Sequence, residues 1–222
     1  NDAMISQKKP EATSRKPRVA MVYPFVHNRG GVERYLLALG KFLRQYYDIE
    51  LAASEWDKRH ESEFRFLRIP APKVFRSLVP LAFSLLGSII VRRERFALVH
   101  VQGANAFRQD VVTAHSCHKA WFVQSTRSLR MFSAPWLLKV FNPTHYVTIF
   151  IETIQYKRRN FRKIIAISSL VKQELVQYYP ISKDAIEVIH HGVDYEALSP
   201  KKNARLRAPT RKEFGIKEKD IA

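Results

Sequence analysis

Three stretches of the chain hold residue types that could do chemistry. The first is Asn28-Arg29-Gly30-Gly31-Val32-Glu33-Arg34-Tyr35, which follows an apolar run and opens a helical period. Adjacent glycines let a backbone approach an anion with no Cβ in the way. A helix beginning there adds free N–H groups and the positive end of its dipole. Gly30 and Gly31 are therefore candidates for phosphate binding. The stretch is not the dinucleotide fingerprint, since Arg34 stands where a third small residue is expected, and it lacks the Gly-Lys-Ser/Thr of a P-loop. A plain strand-to-helix turn is the other reading.

The second stretch is Val111-Val112-Thr113-Ala114-His115-Ser116-Cys117-His118. A histidine directly after a buried strand sits at the end of a sheet, where it can position a hydroxyl or accept a proton near neutral pH. His115-x-x-His118 around Cys117 has no second cluster at ligand spacing, so no metal site is expected. The lone Cys117 reads as a small buried residue. The third stretch, Val188-Ile189-His190-His191-Gly192-Val193-Asp194, is a sharp exit from a strand. Glu55 and Glu63, with seven residues between them, read as part of a charged surface loop.

These stretches need a scaffold that brings loop ends together. Apolar runs at Arg18–Pro24, Ile49–Ala53, Phe64–Ile69, Leu98–Gln102, Val111–Ala114, Ile164–Ile167 and Ile186–Ile189 read as strands, several of them buried on both faces. Helical periods fall between them, over Leu36–Leu43, Phe75–Val91, Thr144–Lys157 and, capped by Ser168 or Ser169, up to Tyr179. Strand and helix in alternation predict an α/β fold, a Rossmann-like parallel sheet with helices on both faces. Residues 1–17 read as a disordered tail or cloning remnant, 18–198 as one domain and 199–222 as a linker without apolar period.

Among 222 residues, 46 % are hydrophobic and 26 % charged, which excludes wholesale disorder. One cysteine excludes an internal disulfide framework. The longest charge-free run, Ser77–Val91, is 15 residues and is broken by Pro80 and Gly87, too short for a spanning helix. A cytoplasmic protein is expected. The charge is the unusual feature: 38 Lys+Arg against 20 Asp+Glu, or +18. Residues 119–163 alone carry nine basic side chains and one acidic, Glu152. Such a field attracts phosphate, on nucleic acid, an anionic bilayer or a phosphorylated ligand.

Taken together, Gly30-Gly31-Val32-Glu33, Thr113-Ala114-His115, the helix with Glu152, Ile165-Ala166-Ile167-Ser168-Ser169 and Val188-Ile189-His190-His191-Gly192-Val193-Asp194 resemble the N-terminal half of a GT-B-fold glycosyltransferase of family four. His190 and His191 replace the Pro-Asn of the family's last motif, and Arg211–Ile216 resembles its lead-in to a second domain. Glu33-Arg34 after the glycines and the helix with Glu152 look similar to the lipopolysaccharide-core glucosyltransferases. The resemblance implies hexosyl transfer from a nucleotide-diphosphate sugar to a glycan or glycolipid acceptor, with retention of configuration. It implies neither metal nor other cofactor. His115 is the catalytic position that it implies; Gly30, Gly31, Glu33, Arg34 and His118 are the implied substrate- or phosphate-binding positions. Donor contacts reside mostly in a second domain expected beyond residue 222, so these residues alone are expected to be inactive.

Two alternatives stand beside this: a basic nucleic-acid-binding α/β module, and a sugar-nucleotide epimerase of the same fold. The first explains the charge, but no nucleic-acid recognition motif occurs, so nucleic acid is not an expected partner. An anionic membrane surface is, at the inner face of the cytoplasmic membrane. Trp121, Phe122, Phe132 and Trp136 interleave with Arg127, Arg130 and Lys139 as in an interfacial segment. An ordinary helix with a basic face is the other reading of that segment.

Overall fold

The computed structural model describes residues 16–27, 29–71, 77–158, 160–193, 195, 199–217 and 220. Most of the tail expected over 1–17, and the readings on Asn28, Phe75 and Asp194, lie outside these residues. The chain forms two compact units, one up to His190 and one from His191 onward.

The first unit is built on a central strand, β1 (Arg18–Val22). The chain continues through β2 (Phe25–Val26), α1 (Gly31–Leu43), β3 (Asp48–Ala53), β4 (Glu55–Trp56), a 3-10 turn at Lys58–Ser62 and β5 (Arg65–Arg68). Beyond come α2 (Val79–Arg93), β6 (Leu98–Gln102), β7 (Val111–Ala114), α3 (His118–Arg127), α4 (Ala134–Val140) and α5 (Pro143–Lys157). Last are β8 (Lys163–Ala166), α6 (Ser169–Tyr178) and β9 (Ile186–Val188). Seven strands form one sheet in the order β5-β3-β1-β6-β7-β8-β9. All neighbours are parallel, Val22 pairing with Ala52 on one side and Val101 on the other. Strands β2 and β4 form a separate parallel pair.

Alternation along β1 sends side chains to two cores. Val19 and Met21 pack with Leu36 and Leu37 of α1, whereas Ala20 and Val22 pack with Phe83 and Val91 of α2. Helices therefore cover both faces, and strands apolar on both sides are the consequence. Gly40 lets α1 lie close to the sheet, since a Cβ there would come within 2.9 Å of the Phe64 ring. A third core joins Val112, Ala114, Ile164 and Ile186 to Leu175 of α6 and Tyr156 of α5. Ser168 caps α6 by accepting from Val171 N at 3.2 Å, as its position predicts.

Two findings on helices refine the sequence reading. The segment around residues 121–139, read as interfacial or as an ordinary helix with a basic face, holds two short helices, α3 and α4, Ala120 being the sole buried residue of α3. In the second unit α7 (Pro200–Glu213) forms where a linker without period was expected. Its Lys, Arg and Ala residues have high helix propensity, which needs no apolar stripe.

Candidate active site

Strand order reverses between β1 and β6. From β1 the chain moves outward to β3 and β5, and from β6 it moves the other way to β7, β8 and β9. In an open parallel sheet such a switch leaves a crevice beyond the carboxyl ends of the two central strands. The loop after β1 and the residues ending β6 and β7 meet there.

Gly30 caps α1 with an ordinary extended backbone, φ −103° and ψ 163°, and nothing lies within 4 Å of a Cβ placed on Gly31. Neither glycine is required by conformation or packing, so what they leave is open backbone at a helix N-terminus. The Glu33 carboxylate is turned back on the loop, where Oε2 accepts from His27 N at 3.0 Å and Arg29 N at 2.8 Å. Its geometry holds the loop in the manner of a capping box. Arg34 is exposed, and its guanidinium has no ion-pair partner among the described residues.

His115 follows β7 and is half-buried. Its Nε2 donates to Gln102 Oε1 at 3.0 Å, and its ring meets Tyr35 of α1 edge-on at 5.4 Å. Gln102 ends β6 and is fully buried. The structure thus joins His115 to the helix of the glycine loop through residues that motif reading passed over. A polar residue closing the apolar run Leu98–Gln102 was the signal for one of them.

His118 belongs to a different cluster. Its ring packs against Trp121 and His145, both at 5.3 Å, and its Nε2 lies 3.3 Å from His145 Nδ1. Burial, then the neighbouring His145, pushes the His118 pKa down. The backbone N–H groups of His118 and Lys119 donate to Glu152 at 2.9 and 3.1 Å, and Tyr179 Oη donates to the same carboxylate at 2.5 Å. Glu152 is 2 % exposed and caps α3 from α5, since Cys117 at the N-cap makes no side-chain bond. Burial raises its pKa above the usual carboxylate range despite these donors. Cys117 is buried as expected, and its thiol is pushed up to about 12 by burial and by Glu152, which removes it as a nucleophile.

The charged loop expected around Glu55 and Glu63 is more structured than its composition predicts. Glu55 lies in β4, 3.9 Å from His27 Nε2, while Glu63 pairs with Lys41 of α1 at 2.8 Å. At the last motif, Ile189 N donates to Ala166 O at 3.0 Å and His190 Nδ1 to Ile167 O at 3.1 Å, fixing the exit from β9. Among the described residues no three His, Cys, Asp or Glu side chains gather as a metal ion requires. Nor is any described helix long and apolar enough to cross a membrane.

Residues 29–197, more than half of the chain and all three motif stretches except Asn28, match Glycosyltransferase Family 4. The chain belongs to that family. Its fold agrees with solved structures. WaaG, a glycosyltransferase involved in lipopolysaccharide biosynthesis, superposes with a TM-score of 0.67 at 12 % identity, over 91 % of this chain and 52 % of its own. Sucrose-phosphate synthase from Thermosynechococcus elongatus gives 0.60 at 14 %, over 87 % and 53 %. A glycosyltransferase from Rickettsia africae gives 0.55 at 17 %, over 93 % and 51 %. No curated protein sequence matches the chain. At these identities the likeness carries the fold: a Family 4 domain with the architecture of the N-terminal GT-B half, as its motifs imply. The chain spans about half the length of the structures it matches.

Proposed function

We propose that this Family 4 domain is the acceptor-side half of a glycosyltransferase that moves a hexose from a nucleotide-diphosphate sugar to a glycan or glycolipid acceptor, with retention of configuration. The observation that carries this reading is the convergence of the glycine loop and His115 at the β1/β6 switch point of a family member. The leaving group of such a reaction is a diphosphate whose charge grows in the transition state. Open backbone at Gly30 and Gly31, at the positive end of α1, suits that charge, and Arg34 adds an exposed cation. Glu33 keeps the loop in place, and His115, oriented by Gln102, positions a sugar hydroxyl. Opposing donor contacts come from a second domain, so these 222 residues bind donor weakly and do not turn it over. His118, in its own cluster with Trp121 and His145 at the start of α3, is an acceptor-binding candidate. We further propose a cytoplasmic, peripheral location on an anionic membrane, supported by exposed Trp121, Leu138 and Phe141 next to Lys139.

Saturation-transfer NMR with a panel of nucleotide-diphosphate sugars tests the reading. Weak binding to at least one, lost in Gly31→Asp and without turnover, is expected. Absence of binding throughout the panel, or robust turnover by this chain alone, overturns it.

A further inference from the structure

A cavity of about 700 Å³ opens at the carboxyl end of the same sheet. Its wall includes Tyr23, Pro24 and Phe25 after β1 and Val79, Pro80 and Phe83 of α2. Four side chains in that wall carry hydrogen-bond donors, Tyr23, Ser54, Asn105 and Thr148, and the last three donate into the protein; Glu55 adds a carboxylate, 3.9 Å from His27 Nε2. Ser54 Oγ goes to Ile69 O at 2.8 Å, Asn105 Nδ2 to Gln102 O at 2.5 Å, and Thr148 Oγ1 to Thr144 O at 2.9 Å. The wall therefore presents mainly carbon. A polyhydroxylated sugar or a nucleobase filling the cavity would regain few hydrogen bonds along the wall of Pro24, Phe25, Val79, Pro80 and Phe83, at a cost of about 1–3 kcal/mol for each unsatisfied group. An alkyl chain loses nothing of the kind, and a pocket of this size with few polar groups is typical of small apolar ligands.

We propose that this cavity receives the hydrocarbon part, alkyl or isoprenoid, of a lipid-linked acceptor. Tyr23 connects it to the reacting end of the crevice. This residue lines the cavity and directly follows β1, on the stretch of chain that leads to the glycine loop held by Glu33. A chain seated against Tyr23 and Phe25 lies at the carboxyl end of β1, the end of the sheet at which Gly30 and Gly31 open α1. The inference rests on the acceptor-side reading above and narrows it to one acceptor class.

A chain-length ladder tests it: binding of methyl, butyl, hexyl and octyl β-glucosides to the purified chain, each below its micelle-forming concentration. Affinity should rise by up to about fourfold per methylene, the equivalent of about 0.8 kcal/mol per buried CH₂. Ala104→Phe, which fills the cavity, should flatten the ladder. Leu138→Ser, on exposed α4, should leave it intact. Should Ala104→Phe fail to fold by circular dichroism, Phe25→Ser serves instead, because Phe25 is 40 % exposed. A flat ladder in the wild type, or one that survives cavity filling but is lost in Leu138→Ser, overturns the proposal. Nucleotide-sugar binding measured on the same samples separates the two readings. A ladder without sugar-nucleotide binding sinks the glycosyltransferase site alone, and the reverse sinks the cavity alone.

Discussion

Gln102 Oε1 accepts from His115 Nε2 at 3.0 Å, tying the carboxyl end of β6 to the residue that follows β7. The bond orients the imidazole across the strand-order switch and against Tyr35 of α1. Because His115 is half-buried and ends a strand, His115→Ala should leave the melting temperature nearly unchanged. In an enzyme carrying both halves it should lower kcat/KM by roughly 10- to 100-fold, the equivalent of about 1.5–3 kcal/mol for a hydrogen bond to a charged or developing-charge group. Gln102→Ala should lower kcat/KM less while also reducing stability, since Gln102 is fully buried. Wild-type turnover in His115→Ala, or a variant that simply unfolds, would assign His115 a purely structural part.

Glu152 predicts a pH dependence of a distinct sign. Its carboxylate takes three donors, from His118 N, Lys119 N and Tyr179 Oη, yet burial still raises its pKa. Between the unfolded value near 4.5 and the raised folded value, the native state holds the proton more tightly. Stability from this group therefore increases as pH falls through that window. Glu152→Gln cannot titrate and sets an amide against donors, so it should be about 1–3 kcal/mol less stable at pH 7. Its deficit against the wild type should widen on acidification. Urea unfolding of both proteins at several pH values checks this, and a deficit that shrinks at low pH contradicts it.

His100 predicts the opposite slope. It is 5 % exposed, its Nε2 lies 2.8 Å from Thr113 Oγ1, and burial lowers its pKa to about 4. The unfolded chain takes up a proton near 6.5, whereas the native state resists it until about 4. Stability is thus complete above pH 6.5 and is lost as pH falls toward 4, by up to about 1.4 kcal/mol per unit. His100→Gln should remove that slope, and a difference in urea midpoints independent of pH would argue against a neutral buried imidazole.

Apolar runs made the sheet readable. Leu98–Gln102 and Val111–Ala114 match their predicted strands, because strands covered on both faces are mostly apolar, with His100, Gln102 and Thr113 as the buried polar exceptions. The two-residue strands β2 and β4 are too short for any period to show. Helix α3 was legible only as an amphipathic or basic-faced segment without bounds, because one buried alanine leaves no stripe, and its N-terminus is closed from another helix by Glu152 rather than by a local cap. At the site, the glycine pair and His115 were legible as types in sequence, whereas their supports were not. Gln102 and Tyr35 reach His115 only through the β6–β7 neighbourhood and the packing of α1, which are properties of the fold.

The membrane proposal makes the last prediction. On the surface of α3 and α4, Trp121 is 45 %, Phe132 70 %, Leu138 77 % and Phe141 76 % exposed. Phe132 sits in the left-handed region, φ 61°, at the turn between these helices, with its ring 5.4 Å from that of Trp136. Lys139 lies over the Trp121 ring at 4.4 Å, and Arg127 and Arg130 are exposed beside them. Each basic side chain near an anionic surface contributes about 1 kcal/mol within a Debye length, and the exposed rings add interfacial burial. Both terms are needed, so Arg127→Glu with Arg130→Glu and, separately, Leu138→Ser with Phe141→Ser should each weaken binding to phosphatidylglycerol vesicles. Cosedimentation should show binding to those vesicles, little to phosphatidylcholine, and release at high salt. Salt alone does not discriminate, because nucleic acid would respond likewise. A duplex DNA control does, and tight DNA binding with no vesicle binding would return the basic face to nucleic acid.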